Sequence, residues 1–228
     1  MTPLVLIPGM MCDARMWGDI PTHLPALVHH ALPTGADSMA GLAARILHDA
    51  PDRFALAGLS MGGIVAMEML AQAADRITRL ALLDTNPCAE ASAVQSRRGP
   101  QIDRALSGGL DHVMRDEMKP NYLAEGPQRG PILDLCMDMA LAVGPQVFRD
   151  QSVALRDRAD RQQALAAFKG PALVLMGEDD RLCPRDRHER MHALMPQSRF
   201  VMVPGAGHLP PLEQPQATEQ ALRHWLEE

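Results

Sequence analysis

The chain has 228 residues, 46% of them hydrophobic, which suits one globular domain with a sizeable core. Its formal net charge of −6 argues against a nucleic-acid-binding protein, which would present a basic face. No segment approaches the roughly 20 apolar residues of a membrane helix, and the N-terminal apolar run is short for a signal peptide, so we expect a cytoplasmic protein without a membrane partner.

Short apolar runs alternate with longer helical stretches along most of the chain. The runs predict six buried strands: PLVLI (3–7), ALVHHAL (26–32), RFALAGL (53–59), ITRLALLD (77–84), PALVLMG (171–177) and SRFVMVP (198–204). The stretches between them predict helices at 38–50, with Ser38 as N-cap, and at 61–74, 186–195 and 217–228. This alternation predicts an α/β protein with a parallel sheet.

Residues 88–168 depart from this alternation, because they contain no convincing strand. Their helical segments, punctuated by glycine and proline, are predicted at 92–107, 110–119, 131–143 and 145–167. We therefore expect a helical insertion between the fourth and fifth strands of a core that is formed by residues 1–87 and 169–228.

The motif GLSMGG (58–63) follows the third predicted strand and precedes a predicted helix. A G-x-S-x-G pattern in that context is typical of a nucleophile elbow, a sharp turn that displays the serine at the carboxyl edge of the sheet. Gly58 and Gly62 provide the room that lets the backbone and the helix approach each other. We predict that Ser60 is a catalytic nucleophile; an ordinary helix N-cap is the alternative interpretation.

A serine nucleophile needs a base, and the motif GAGH places His208 just after the last predicted strand. Parallel strands bring their carboxyl ends to one edge of the sheet, which predicts that His208 reaches Ser60. The imidazole in turn needs a carboxylate to orient it. Asp180, after the fifth predicted strand, is the preferred acid, and Asp84 and Asp179 are the alternatives.

The serine, the aspartate and the histidine occur in the chain order of α/β-hydrolases. Together with the motifs IPGMMCDARMW, GLSMGG, GEDDRLCP and GAGH, this order makes the chain resemble the α/β-hydrolase superfamily over nearly its whole length. It is similar to small, esterase-like members with a helical cap. The resemblance implies an α/β-hydrolase fold in which residues 88–168 form the cap, and a reaction that needs no cofactor. The four cysteines are scattered, so free thiols and no metal site are expected.

The resemblance also implies an oxyanion hole made of two backbone N–H groups. By position these belong to Met61, which follows the nucleophile, and to Met10, in the loop after the first strand. This chain has Pro8 and Gly9 where the family has a His-Gly pair, so the side chain that usually braces this loop is missing. A simple turn with buried methionines is the alternative interpretation of the loop.

Family members usually carry an N-terminal hairpin, whereas here the first strand is predicted to begin at residue 3. We therefore expect about six mainly parallel strands without that hairpin. The run 26–32 would then form an outer edge of the sheet. Exposed edges invite pairing with another chain, so a homodimer through this edge is a further expectation.

The predicted reaction is hydrolysis of a small or medium carboxylic ester or thioester, a small-molecule substrate, through an acyl-enzyme intermediate. A C–C bond hydrolase, or a lyase or synthase of the same superfamily, would use the same three residues. A non-catalytic ligand-binding protein is the alternative from a different class, and the presence of all three residue types argues against it.

Side chains of the helical insertion are expected to shape the substrate pocket. The apolar candidates are Leu106, Leu110, Val113, Met114, Met118, Leu135 and Met139. The candidates for meeting a carboxylate on the substrate are Arg97, Arg98, His112 and Arg115. Each candidate also has an ordinary structural interpretation. The apolar side chains could simply pack the helices together, and the charged side chains could lie on a solvated face.

Overall fold

The computed structural model describes residues 2–228 and contains one sheet of six strands, all paired in parallel. The strands are β1 (Leu4–Ile7), β2 (Val28–His30), β3 (Phe54–Leu59), β4 (Ile77–Leu83), β5 (Ala172–Gly177) and β6 (Arg199–Val203). Their order across the sheet is β2-β1-β3-β4-β5-β6. The predicted fold class is confirmed, and each predicted strand lies where its apolar run stands in the sequence.

Eleven α-helices connect the strands within residues 2–228. They are α1 (Ile20–His23), α2 (Met39–Asp49), α3 (Met61–Ala73), α4 (Ser92–Arg104), α5 (Leu110–His112), α6 (Arg129–Val143), α7 (Pro145–Arg156), α8 (Gln162–Ala167), α9 (Arg185–Leu194), α10 (Pro210–Glu213) and α11 (Pro215–Glu227). Shorter 3₁₀ and π turns occupy Ala14–Trp17, Ala74–Arg76, Ala105–Gly109, Val113–Met118 and Lys119–Asn121. Ser38 caps α2 as predicted, since its hydroxyl accepts the Gly41 N–H at 3.1 Å.

The sheet separates two hydrophobic cores, one on each face. In β1, Val5 and Ile7 pack into the core that contains α2 and α3, whereas Leu4 and Leu6 pack into the core that contains Trp225 of α11. Successive side chains of a strand point to opposite faces. Both faces of the central strands are therefore apolar, which explains why their sequences are continuous apolar runs and do not alternate with polar residues.

Helices α4 to α8 lie between β4 and β5, where a helical insertion is expected. The predicted segment 145–167 was wrong as one continuous unit, because the structure divides it between α7 and α8. At the break the Arg161 N–H donates to the Pro87 carbonyl at 2.8 Å, and the Arg161 side chain pairs with the buried Glu68. Tertiary hydrogen bonds thus override a locally helical sequence.

Strand β2 forms one outer edge of the sheet and pairs only with β1, as expected for the run 26–32. Leu27 and Leu32, on either side of this strand, are exposed. The homodimer through this edge stays a prediction, which a monomeric elution profile would contradict.

No single helix within residues 2–228 has both the length and the apolar composition needed to cross a membrane. Helices α6 and α7 pass that test only when taken together, and they are bent by 96° where they meet.

Helix α3 passes very close to β1, and a glycine makes this approach sterically feasible. A Cβ atom at Gly62 would lie 2.1 Å from the Ile7 carbonyl oxygen. The oxygen belongs to the backbone of β1, and a Cβ would be bonded directly to the backbone of α3. Neither atom can move aside without shifting a whole element. The contact therefore admits no side chain at this position.

We predict that Gly62→Ala lowers the free energy of unfolding by about 3 kcal/mol, because overpacking of this kind forces the backbone apart. Urea unfolding measures the effect. The matched control is Gly130→Ala in α6, where an added Cβ meets nothing within 4 Å. The control should be as stable as the wild type or slightly more stable, because alanine favours a helix more than glycine does, and equal stability of the two variants would contradict the steric argument.

Candidate active site

Ser60 occupies the sharp turn between β3 and α3. Its backbone has φ 54° and ψ −117°, a conformation that few residues other than glycine adopt. The turn is held by the Ser60 N–H, which donates to the Leu83 carbonyl of β4 at 2.9 Å. A Cβ at Gly58 would lie 2.3 Å from the Gly62 carbonyl, so both glycines are sterically required. The serine side chain is thus displayed at the carboxyl edge of the sheet.

His208 follows β6 in a loop that packs tightly on the end of β5. A Cβ at Gly177 would lie 1.9 Å from the Gly207 carbonyl oxygen, which shows how closely the two backbones approach. The His208 Nε2 lies 2.8 Å from the Ser60 Oγ, and its Nδ1 lies 2.9 Å from the Asp180 Oδ2. With Nδ1–H donating to the carboxylate, Nε2 accepts the hydrogen bond of the serine hydroxyl, an assignment made from the hydrogen-bond network.

Asp180 lies in the loop after β5 and is buried. Its Oδ1 accepts the N–H groups of Leu182 at 2.8 Å and Cys183 at 3.1 Å, while Oδ2 faces His208. Burial raises the pKa of Asp180, but the nearby His208 and these two N–H groups outweigh it and hold the pKa below its ordinary value. Asp180 is therefore ionised at neutral pH. The neighbouring Asp179 is exposed and contacts none of these groups through its side chain.

Asp84, the alternative acid, is buried at the end of β4 but does not contact His208. Its Oδ1 accepts the Gly177 N–H at 2.8 Å, and its Oδ2 has no hydrogen-bond partner among the described residues. Burial, and beside it the charge of Asp180, raise the pKa of Asp84 well above its usual range. The structure therefore contains two carboxyl groups close together, one with a lowered and one with a raised pKa, and the group with the lowered pKa faces the imidazole.

The N–H groups of Met10 and Met61 both belong to residues that line the cleft at Ser60. Met61 is the first residue of α3, so its N–H has no acceptor within the helix. The loop that contains Met10 is braced from the helical insertion: the Met11 N–H donates to the Gln151 Oε1 at 2.9 Å, and Met11 itself has φ 56°. Gln151 also donates to the Pro33 carbonyl at 3.0 Å. This glutamine provides a brace for a loop that lacks the histidine of the family motif.

Two residues that the sequence analysis missed hold the histidine loop. The His208 N–H donates to the Tyr122 carbonyl at 2.6 Å, and the two rings lie 5.7 Å apart. The Glu213 carboxylate accepts the N–H groups of Ala124 and Gly207 on Oε1 and of Leu209 on Oε2, at 2.8–2.9 Å. No motif marks either position. Tyr122 acts through its own carbonyl group and Glu213 binds the N–H groups of other residues, and only the fold brings these partners together.

The cleft above Ser60 has a volume of about 330 Å³ and is lined by residues of both the sheet edge and the insertion. Of the predicted apolar lining, only Met118 contacts it. Leu110, Val113 and Met114 are buried in the core, Leu135 and Met139 pack on the opposite core, and Leu106 is exposed. Of the predicted charged candidates, Arg98 lines the cleft, whereas Arg97, His112 and Arg115 are exposed.

A larger cleft of about 860 Å³ lies at the amino edge of the sheet, beside Arg53 and Ile77, and contains none of the predicted site residues. Within residues 2–228, the one group of side chains with metal-ligand spacing is Asp180, Cys183 and His208, whose ligand atoms lie within 4.8 Å of one another. In this group the His208 Nδ1 and the Asp180 Oδ2 already form a direct hydrogen bond of 2.9 Å. All four cysteines are free thiols.

Comparisons with known proteins place this geometry in a family. A model described as the alpha/beta hydrolase family matches residues 4–221. A pimeloyl-[acyl-carrier protein] methyl ester esterase of Pectobacterium carotovorum subsp. carotovorum is 27% identical over 239 residues, which cover 97% of this chain and 93% of that protein.

Solved structures agree with this assignment. The thermophilic esterase from Thermogutta terrifontis, in a malate-bound structure, is similar with a TM-score of 0.90 at 28% identity, covering 100% of this chain and 90% of that one. The enol-lactonase from Burkholderia xenovorans is similar with a TM-score of 0.86 at 22% identity, covering 100% of this chain and 92% of that one. The second likeness is evidence for the fold alone.

A second buried histidine, His188, forms a hydrogen bond with the residue next to Asp84. The Nε2 of His188, in α9, accepts the Thr85 N–H at 3.3 Å, so this imidazole is neutral. Burial lowers the pKa of His188 to about 4, although the nearby Asp180 opposes the shift. Protonation of Nε2 would remove the acceptor that holds Thr85, next to Asp84.

This depressed pKa predicts a loss of stability in acid. The unfolded chain binds a proton at the ordinary histidine pKa of about 6.5, whereas the folded chain does not until about pH 4, so stability falls as the pH drops through this window. Between pH 7 and pH 5 the wild type should lose about 2 kcal/mol more than His188→Gln, which keeps an acceptor but does not titrate. Urea unfolding at the two pH values measures the difference, and parallel losses would contradict the prediction.

Proposed function

The chain belongs to the alpha/beta hydrolase family, and on this basis we propose that the enzyme hydrolyses a small or medium carboxylic ester or thioester through an acyl-enzyme intermediate. The observation that carries the proposal is the hydrogen-bonded series from Ser60 through His208 to Asp180. Each member has the environment that its role requires: a displayed hydroxyl, an imidazole with one nitrogen free to accept a proton, and an ionised carboxylate.

In the proposed mechanism, the Ser60 Oγ attacks the carbonyl carbon while His208 Nε2 takes the hydroxyl proton. The N–H groups of Met10 and Met61 stabilise the negative charge that develops on the carbonyl oxygen. His208 then gives the proton to the leaving alcohol or thiol, and the acyl group remains on Ser60. A water molecule repeats the attack with the same proton transfers and releases the acid. Asp180 stabilises the imidazolium at both steps because its lowered pKa keeps it ionised.

Two further observations support an ester as substrate. The relatives that are 27% and 28% identical are named as a methyl ester esterase and an esterase. The cleft of about 330 Å³ is at the small end of the range for ligand pockets, which favours a short acyl group and a small alcohol. We further propose that residues 88–168 act as the cap, since residues such as Met118 and Leu155 contact the cleft from that segment.

Ser60→Ala is expected to lower the turnover of short p-nitrophenyl esters by at least about 10⁴-fold, because no other group can form the acyl-enzyme. A fluorophosphonate probe should label the wild type at Ser60 and leave the variant unlabelled. The matched control is Ser96→Ala on the exposed face of α4, which should keep full activity and labelling. Normal turnover by Ser60→Ala would refute the nucleophile assignment.

The two buried carboxyl groups provide a sharper test. Asp180→Asn should lower kcat about 10⁴-fold, because the imidazole loses the charge that orients and stabilises it. Asp84→Asn should stay close to wild-type activity, since its carbonyl can still accept the Gly177 N–H and the native carboxyl does not contact His208. Steady-state kinetics on one ester compares them directly. A reversed order would assign the acid to β4 and not to β5.

A panel of substrates separates the ester reaction from its alternatives within the family. Esters of increasing acyl length, a matched thioester and a β-diketone should be compared at equal concentration. We expect the short esters to react fastest. Cleavage of the diketone with no ester turnover would instead favour C–C bond hydrolysis by the same residues.

A further inference from the structure

Two buried charged residues and a partly buried one form one wall of the cleft that contains Ser60 and His208. Glu90, in the loop after β4, accepts the Arg98 Nε on Oε2 and the Arg98 Nη2 on Oε1, each at 2.9 Å. The same Oε1 accepts the Arg158 Nη1 at 2.7 Å. We call Glu90, Arg98 and Arg158 the charged wall; the side chains of all three are at most 10% exposed.

The charged wall carries one positive charge more than it can neutralise internally. It holds two guanidinium groups and a single carboxylate, and among residues 2–228 the cleft lining contains no acidic residue besides Glu90. A third arginine of the lining, Arg187, has its own carboxylate partner in Asp186, at 3.6 Å. Because both guanidinium groups share one carboxylate, the charged wall keeps a net positive charge that an anion on the substrate would neutralise.

The unused donors of the charged wall are available to such an anion. Arg98 contacts only the Met10 thioether with its Nη1, at 3.6 Å, which is a weak acceptor. Arg158 donates through Nε to the Cys88 carbonyl and through Nη1 to Glu90, whereas its Nη2 has no acceptor among the described residues. Two guanidinium N–H groups without a strong acceptor suit a carboxylate, which accepts on both oxygens.

We propose that the charged wall selects substrates that carry one free carboxylate in addition to the scissile ester, with Arg158 as the main specificity-determining residue. The proposal deepens the ester hydrolase function and rests on it. A monoanion matches the single excess charge of the wall. The carboxylate supplies the acceptor that the Arg158 Nη2 lacks, and the ester carbonyl of the same molecule lies at Ser60.

A purely structural role for the charged wall makes a different prediction. If Arg158 served only to tie the loop at Cys88 to the link after α7, its loss would slow every substrate alike. A role in recognition instead separates anionic from neutral esters. Arg98 is the less suitable probe, because its contact with Met10 couples it to the proposed oxyanion hole.

The experiment compares monomethyl glutarate with its neutral isostere, methyl glutaramate. In the wild type, kcat/KM should be about 10- to 100-fold higher for the anion, mainly through KM, as expected for a charge-assisted hydrogen bond. Arg158→Gln should remove this preference by lowering kcat/KM for the anion far more than for the neutral ester, and Arg158→Lys should restore part of it. Arg97→Gln, which removes the exposed neighbouring charge on α4, is the control and should keep the preference.

Equal kcat/KM values for the two esters in the wild type, or an equal fall for both in Arg158→Gln, would overturn the charge selection while leaving the ester hydrolase function intact. Failure of both esters together with no fluorophosphonate labelling of Ser60 would instead remove the function on which the proposal rests. If Arg158→Gln does not fold, labelling of the wild type decides the question. Glutaramate, a monoanion, should then protect Ser60 at concentrations about tenfold lower than the neutral glutaramide, and equal protection would contradict the proposal.

Discussion

The close approach of α3 to the first strand is the constraint on which the site depends. Because Gly62 has no side chain, the helix begins directly against the backbone of Ile7, and the turn before it forces Ser60 into a left-handed conformation. A larger residue would push the helix outward and carry the serine with it. The hydrogen bonds between Ser60 and His208 and between His208 and Asp180 depend on this rigid turn, because it fixes the position of the serine.

The three hydrogen-bonded side chains of the candidate site follow three different strands, and the parallel sheet brings them together. Ser60 follows β3, Asp180 follows β5 and His208 follows β6. For this reason their proximity could be predicted from the sequence, since parallel strands end at one edge and each residue stands next to a recognisable strand. The sequence does not distinguish the two candidate acids in the same way. Both Asp84 and Asp180 end at that edge, and only the direction of each side chain and its backbone donors separate them.

The helical insertion was predictable in position but not in detail. Its composition indicates helices, yet it does not say which face of each helix meets the cleft, so most of the expected apolar lining packs into the core. The break after α7 could not be seen either, because the hydrogen bond from Arg161 to Pro87 joins residues that are far apart in the chain. The same applies to Glu213 and Gln151, whose partners are backbone N–H and carbonyl groups that any sequence possesses.

The hydrogen bond from the His208 N–H to the Tyr122 carbonyl ties the loop that carries the imidazole to the helical insertion. Tyr122 belongs to the insertion, and Ala124, two residues further on, donates its N–H to Glu213 beside the same loop. Any displacement of this part of the insertion would pull on the main chain of the His208 loop. In the proposed mechanism, the position of the proton acceptor is therefore set in part by a segment that is distant from it in the sequence.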